Sequence, residues 1–342
     1  MERKHWTWIN TDVKSGDDEW KRRFERMRRA GVSAVLPEVF NNHAAAYGSA
    51  HLPVEGEWLE RLLPLAAEAG LEVHAWMHTM TCNIPEIVEG HPEWYAVNGR
   101  GESASTKPAY VGYYKFLCPS RPEVHAFLKR RVAELASYDG LASVHLDYIR
   151  LPDVILASAL QPKYGLVQDR EYPQFDYCYC EACRGLFKEE SGLDPADMED
   201  PSASEAWFEF RCGQITRLVK EVLAPEIRRR GRQVSAAVFP NWRHVRQQWA
   251  VWDLDAVLPM LYHGFYEEGL EWVGAQCRRG VADLPPSVPL YSGLYVPDLG
   301  PAELAEAVRL SLAGGARGVS LFAAGSMGPD HWDAFAAAAR QA

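Results

Sequence analysis

Short runs rich in β-branched and aromatic residues alternate with amphipathic helical runs along the whole chain, and this alternation limits the fold more than any other feature. Strands separated by helical crossovers pair in parallel, because each crossover carries the chain back to start the next strand in the same direction. Eight strands can be drawn, at 5–12, 32–40, 71–79, 142–150, 233–242, 256–263, 289–296 and 318–324. Helical runs occupy 18–30, 58–69, 121–137, 205–230, 267–279, 301–313 and 330–340, with Gly31, Gly70, Gly140, Gly231 and Gly280 as helix stops. The pattern predicts one catalytic domain over 1–342, a single (β/α)8 TIM barrel in which strand eight pairs with strand one and brings Trp8 near Phe322. A doubly wound open sheet is the alternative.

A barrel of this kind needs about 250 residues. The surplus in this 342-residue chain falls in two long connections, 82–120 after strand three and 151–203 after strand four. Both leave the C-terminal ends of strands, the face on which such barrels build their sites.

Alternation along a strand sorts side chains into those facing the barrel interior and those facing the helices. In strand four Val144 and Leu146 suit the helix layer, which turns Ser143, His145 and Asp147 inward, with Asp147 at the catalytic end. A buried carboxyl needs either a function or a partner, and the competing assignment is an ion pair with Arg150. Strand three turns His74, Trp76 and His78 inward, His78 nearest the rim. The same alternation presents Trp8, Asn10 and Asp12 from strand one and Leu36 and Glu38 from strand two. It presents Phe239 and Asn241 from strand five, Met260 and Tyr262 from strand six, and Gly293 and Tyr295 from strand seven.

Sugars offer apolar ring faces edged with hydroxyls, and a rim of aromatic, amide, imidazole and carboxylate groups matches both surfaces. The residues expected to contact a sugar are Asn10, Asp12, Trp76, His78, Arg150, Asn241, Tyr262 and Tyr295. Hydrolysis of a glycosidic bond usually needs two carboxyl groups. Asp147 supplies one and Glu38, inward at the end of strand two, the other; Asp12, Asp153, Glu267 and Asp298 are further candidates.

Cys178, Cys180 and Cys183 form a Cys-x-Cys-x-x-Cys cluster in the second long connection, and Cys118, in Phe-Leu-Cys-Pro-Ser, offers a fourth corner. Four thiolates make a closed tetrahedral zinc site, so one structural zinc per chain is expected.

Charge and composition narrow the partners. Hydrophobic residues at 47% and charged residues at 24% suit a large buried core. A net charge of −10 argues against nucleic acid or an anionic membrane surface. Arg228, Arg229 and Arg230 close a helix, where cations complement the dipole. No stretch approaches the roughly 20 apolar residues of a membrane span. The start of the sequence does not read as a signal peptide, and the seven cysteines form no disulfide framework, so the cytoplasm is the expected compartment. A homo-oligomer stays open.

Several motifs run in a fixed order: His74-Ala-Trp, His91-Pro-Glu-Trp, Cys118-Pro-Ser-Arg-Pro-Glu-Val, Tyr138-Asp-Gly and His145-Leu-Asp-Tyr-Ile-Arg-Leu-Pro. Together they resemble the family 10-like glycoside hydrolases over residues 5–155, and more loosely through Ala256-Val-Leu-Pro-Met-Leu-Tyr. The resemblance implies a (β/α)8 barrel with Asp147 as an active-site carboxylate. The cysteine cluster is similar to the zinc site of family 42 β-galactosidases. Those enzymes end strand four with an Asn-Glu pair, whereas Tyr148 and Ile149 follow Asp147 here, and Leu290-Tyr-Ser-Gly-Leu-Tyr lacks their nucleophilic glutamate. The resemblance therefore does not imply β-galactosidase activity. The expected function is hydrolysis of an O-glycosidic bond in a glycan or glycoside. The alternatives are a catalytically inactive carbohydrate-binding barrel and a lyase or isomerase that moves protons with His78 and Asp147.

Overall fold

Eight parallel strands form in the computed structural model, which describes residues 3–341. They are β1 (Trp6–Ile9), β2 (Ala34–Phe40), β3 (Glu72–His78), β4 (Leu141–Asp147), β5 (Gln233–Val238), β6 (Ala256–Pro259), β7 (Tyr291–Tyr295) and β8 (Gly318–Phe322). Several stop short of their expected ends. The chain leaves its last ladder bonds and turns into the 3-10 segments Trp242–Val245 after β5, His263–Tyr266 after β6 and Val296–Asp298 after β7. β1 ends at Ile9, and Thr11 already bonds the side chain of Glu38.

The strand order is β6-β5-β4-β3-β2-β1-β8-β7, which brings β6 and β7 to the two free edges. Isolated parallel bridges, Val257 with Leu290 and Met260 with Gly293, close these edges into a barrel and remove the open-sheet alternative. At this seam Val257 N–H donates to Pro289 C=O at 3.1 Å and Leu261 N–H to Gly293 C=O at 3.0 Å. β1 pairs with β8, and the rings of Trp8 and Phe322 lie 5.9 Å apart.

Trp6, Trp8, Leu36, Trp76, Leu258 and Tyr291 pack inside the barrel, while a larger apolar cluster fills the layer between strands and helices. Two interior imidazoles are each paired through one nitrogen: His74 with the Ser143 hydroxyl at 2.6 Å, and His145 with that of Ser235 at 2.8 Å. Gly31, at φ 100°, closes the helix Asp17–Ala30 as expected. Gly280 does not stop its helix, which continues from Leu270 to Asp283; a Cβ there would lie 2.7 Å from Leu290, so the glycine permits close packing. The run at 205–230 is helical but widens into a π turn over Leu218–Leu223, where Pro225 cannot donate to the preceding turn.

The two long connections carry structure of their own, including the helices Pro85–Gly90 and Glu181–Ser191. A buried ion network holds the second: Asp176 pairs with Arg211 and, at 3.0 Å, with Arg246, which also holds Glu171. Among the described residues no helix is long and apolar enough to cross a membrane.

The seam depends on close backbone approach. A Cβ on Gly293 would stand 2.6 Å from the Pro259 carbonyl oxygen. Gly293→Ala should therefore destabilise the barrel by about 1–3 kcal/mol, read from the denaturant midpoint. An unchanged midpoint would show that the seam is looser than described.

Candidate active site

β2, β3 and β4 end side by side, and their register decides which side chains meet. Glu38 is level with Trp76, and His78 with Asp147. Alternation puts all four on the interior face at the C-terminal end. Asp147 Oδ2 accepts from Trp76 Nε1 at 3.0 Å, and Oδ1 accepts the backbone N–H of Tyr148 at 2.7 Å. Tyr148 has φ 51°, a costly left-handed conformation for a side-chain-bearing residue. That turn carries its ring over His78, with centroids 4.4 Å apart.

The ion pair between Asp147 and Arg150 does not form. Arg150 Nη1 donates to Asp153 Oδ2 at 2.9 Å and to the Leu151 carbonyl at 3.0 Å. Its guanidinium lies among the rings of Tyr114, Phe116, Tyr148 and Phe239, the last at 4.6 Å. Burial pushes the Asp147 carboxyl up; His78, the Tyr148 amide, Trp76 and the more distant Arg150 offset this only in part, and the net direction is upward. Glu38 is different. Burial pushes it up as well, but His78, with Nε2 3.3 Å from Oε1, and the Thr11 donors outweigh burial and hold it below the usual range. Two carboxyl groups at one strand end are thus driven apart, one toward keeping its proton and one toward losing it.

His78 is held on every side. Its Nδ1 lies 3.2 Å from the Asn42 amide nitrogen, which assigns Nδ1 as acceptor and leaves the Nε2 proton for Glu38. Its carbonyl accepts from buried Arg131 at 2.9 Å, and that guanidinium stacks 3.9 Å from the Phe40 ring.

A cavity of about 970 Å³, open mouth included, lies over these strand ends. Trp76, Asp147, Arg150, Asn241 and Tyr262 line it, as do Tyr148, Phe239, Met260 and Phe322. Glu38 and His78 adjoin Asp147 through the strand register but are not part of this lining. Tyr295 stacks on Tyr262 at 5.2 Å, behind the lining. Asn10 and Asp12 lie elsewhere, in a groove with Trp20, Met27 and Trp332, where Asp12 binds Ser15 and, at 2.8 Å, Arg23. β1 ends before either residue, so inward alternation does not reach them. Asp153 is committed to Arg150, and Glu267 and Asp298 are exposed.

The sequence reading missed Tyr114, Tyr148, His244, Phe265, Tyr266 and Phe322 as lining residues, together with an apolar wall at 155–160. Phe322 has the same inward alternation as Ser320 on β8, which would have found it. Tyr148 has no periodic signal, because only its left-handed turn brings it inside.

Cys118, Cys178, Cys180 and Cys183 are buried, with all four Sγ atoms within 4.8 Å of one another. Cys118 Sγ is 3.3 Å from that of Cys180 and 3.5 Å from that of Cys183. Thiolates bonded at about 2.3 Å to one tetrahedral ion stand roughly 3.8 Å apart, so this group can hold a metal ion. The Ser120 amide points at Cys118 Sγ from 3.4 Å. The cluster joins the connection after β3 to the connection after β4, and none of its members lines the cavity.

The profile of the family described as Glycosyl hydrolase-like 10 matches residues 21–284. No curated protein matches the chain. Among solved structures, the β-galactosidase of the psychrophilic Marinomonas ef1 superposes with a TM-score of 0.66 at 13% identity, over 99% of this chain and 59% of that one. A GH42 β-galactosidase from G. stearothermophilus gives 0.66 at 13% identity, over 99% of this chain and 57% of that one. The catalytic domain of β-amylase from Paenibacillus polymyxa gives 0.66 at 11% identity, over 98% of this chain and 97% of that domain. The chain thus spans under three fifths of the length of these β-galactosidases. At such identities the likeness is one of fold.

The pairing in the site sets a stability contrast. Asp153→Ala strands the Arg150 guanidinium among aromatic rings and should cost about 3–5 kcal/mol. Asp147→Asn strands no cation, loses at most one hydrogen bond, and should cost about 1 kcal/mol or less at neutral pH. Chemical denaturation of both variants checks this, and equal losses would restore the Asp147–Arg150 pair.

Proposed function

This chain belongs to the glycosyl hydrolase-like 10 family, and on that footing we propose that it hydrolyses an O-glycosidic bond, with Asp147 as proton donor and Glu38 as the ionised partner. The observation that carries this reading is the pair of opposed carboxyl environments at the ends of β2 and β4. Asp147, desolvated and without a cation in contact, keeps its proton for the leaving oxygen. Glu38, facing His78 and Thr11, stays a carboxylate.

Each residue then has a task. Trp76 and the Tyr148 amide fix the Asp147 carboxyl in one orientation, so its proton meets the glycosidic oxygen without rearrangement. The rings of Trp76, Tyr262 and Phe322 offer flat apolar faces to a sugar, and Asn241 and His244 offer hydrogen bonds to its hydroxyls. Two strand spacings of about 4.8 Å each separate the backbones of β2 and β4, and β3 with His78 lies between them. That span favours Glu38 activating a water over Glu38 attacking the sugar directly, the arrangement that inverts the anomeric centre.

The four thiols fit a closed site with no position left for substrate, so zinc here is structural, one per chain, and ties the two long connections together. The partner class is carbohydrate, not nucleic acid or membrane, and the whole chain serves as one catalytic domain. None of the seven cysteines is paired in a disulfide, which suits a reducing compartment such as the cytoplasm.

Release of reducing ends or aryl leaving groups from a panel of glycosides tests the reading. Asp147→Asn and Glu38→Gln should each lower turnover about a thousandfold or more while the fold persists. Turnover should rise as pH climbs through the depressed Glu38 ionisation and fall as it climbs through the elevated Asp147 ionisation. With an aryl leaving group that departs without protonation, Asp147→Asn should lose the alkaline fall. Unchanged turnover in either variant defeats the assignment, and no turnover by the parent on any glycoside leaves a binding barrel.

Elemental analysis should find about one zinc per chain. Cys180→Ser should expose both long connections to limited proteolysis. Metal-free protein with an unaltered melting temperature would remove the zinc.

A further inference from the structure

The cavity has a second half that sugar chemistry does not explain. Beyond the strand ends, the connection after β4 contributes Ile155, Leu156 and Leu160 to its lining, with Val245 and Phe265 beside them. Ile155, Leu160 and Phe265 remain partly exposed, so this surface is open to a ligand. Sugar hydroxyls could still use backbone groups here, but the amides and carbonyls of both Val154 and Leu156 are already engaged. The buried side chain of Gln168 accepts from Leu156 N–H at 2.9 Å and donates to the Val154 carbonyl at 3.2 Å. Gln161 donates to the Leu156 carbonyl at 3.0 Å, and Val154 N–H donates to the His244 carbonyl at 2.9 Å. The nearest ionic groups, Arg150 and Asp153, neutralise each other.

A second sugar laid against this wall would give up water at its hydroxyls and find no replacement, which is unfavourable. An alkyl or aryl group would lose nothing and bury apolar area. The wall and Asp147 line the same cavity. We propose that the leaving group of the substrate is apolar: the site takes glycosides whose aglycone is an alkyl or aryl group packed on Ile155, Leu156 and Leu160. This rests on the hydrolase reading above. Hydrolysis then transfers one proton from Asp147 to the aglycone oxygen, breaks the bond from that oxygen to the anomeric carbon, and adds water there. The products are free sugar and an apolar alcohol or phenol, and the water returns the proton.

The test is binding to Asp147→Asn protein, followed by tryptophan fluorescence, with methyl, butyl and hexyl glucosides and galactosides of both anomers. Each added methylene should tighten binding roughly threefold, so hexyl glycosides, with five more methylenes, should bind about two hundredfold better than methyl. Leu160→Asp should abolish that increment yet leave methyl glycoside affinity within about twofold. Ile155→Asn serves where Leu160→Asp fails to fold. Equal affinity for methyl and hexyl glycosides, tightest binding by a disaccharide such as cellobiose or lactose, or no binding by any alkyl glycoside overturns the proposal. Hydrolysis by the parent without chain-length dependence sinks the apolar aglycone alone. Chain-length dependence without hydrolysis sinks the hydrolase reading and leaves the apolar site standing.

Discussion

A carboxyl group taken out of water without a cation to meet it is among the costliest things a fold can hold, and the end of β4 is organised around one. Asp147 is tolerated because its two oxygens receive N–H groups from Trp76 and Tyr148, although burial still pushes its ionisation up. Both donors are themselves constrained. Trp76 is locked in the barrel by Trp8, at 4.9 Å, and the Tyr148 amide reaches back only through a left-handed backbone. The natural cation, Arg150, is drawn away by Asp153 three residues on. Without Asp153, Arg150 would be left among aromatic rings with no carboxylate in contact.

Much of this was legible in the sequence, because a period of two is a strong signal wherever a strand persists. Alternation assigns Asp147, Glu38, Trp76 and His78 inward, and the structure places them so; Tyr262, also assigned inward, lines the cavity from beyond the end of β6. Asn10 and Asp12 were extrapolated past the last ladder bond of β1, where the chain turns away and alternation ceases to mean anything. The competing ion pair of Asp147 with Arg150 is absent because Asp153, three residues on in the turn, takes the guanidinium instead. Tyr148 and the wall at 155–160 depend on loop geometry, which carries no period. The cysteines were legible for the opposite reason: four soft ligands need only converge, and their convergence survives ignorance of the loop's path.

The two long connections behave as one body. Cys118 comes from the first and Cys178, Cys180 and Cys183 from the second, while Asp176, Arg211 and Arg246 bind the second to the helix before β5 and to the turn after it. The same assembly carries Tyr110, whose hydroxyl donates to the Asp153 carbonyl at 2.7 Å and accepts from Gln168 at 3.1 Å. The partner that orients Arg150 and the residue that engages the wall's backbone are therefore fixed through one set of contacts. The apolar wall and the surroundings of Asp147 share a scaffold.

The closing seam gives the barrel an uneven stiffness. On one arc, β2, β3 and β4 are joined by ladders longer than the seam, each with one register shift, and that arc bears Glu38, His78 and Asp147. On the other, β6 and β7 meet through two isolated bridges, and that arc bears Met260, Tyr262 and Tyr295. Backbone pairing is thus sparsest beside the aromatic lining and denser beside the carboxyl groups. A small spreading of β6 from β7 would break two bridges on the aromatic side and leave the strands that carry Glu38 and Asp147 paired. Adaptability of the lining and constancy of the carboxyl positions reside on opposite sides of one ring of strands.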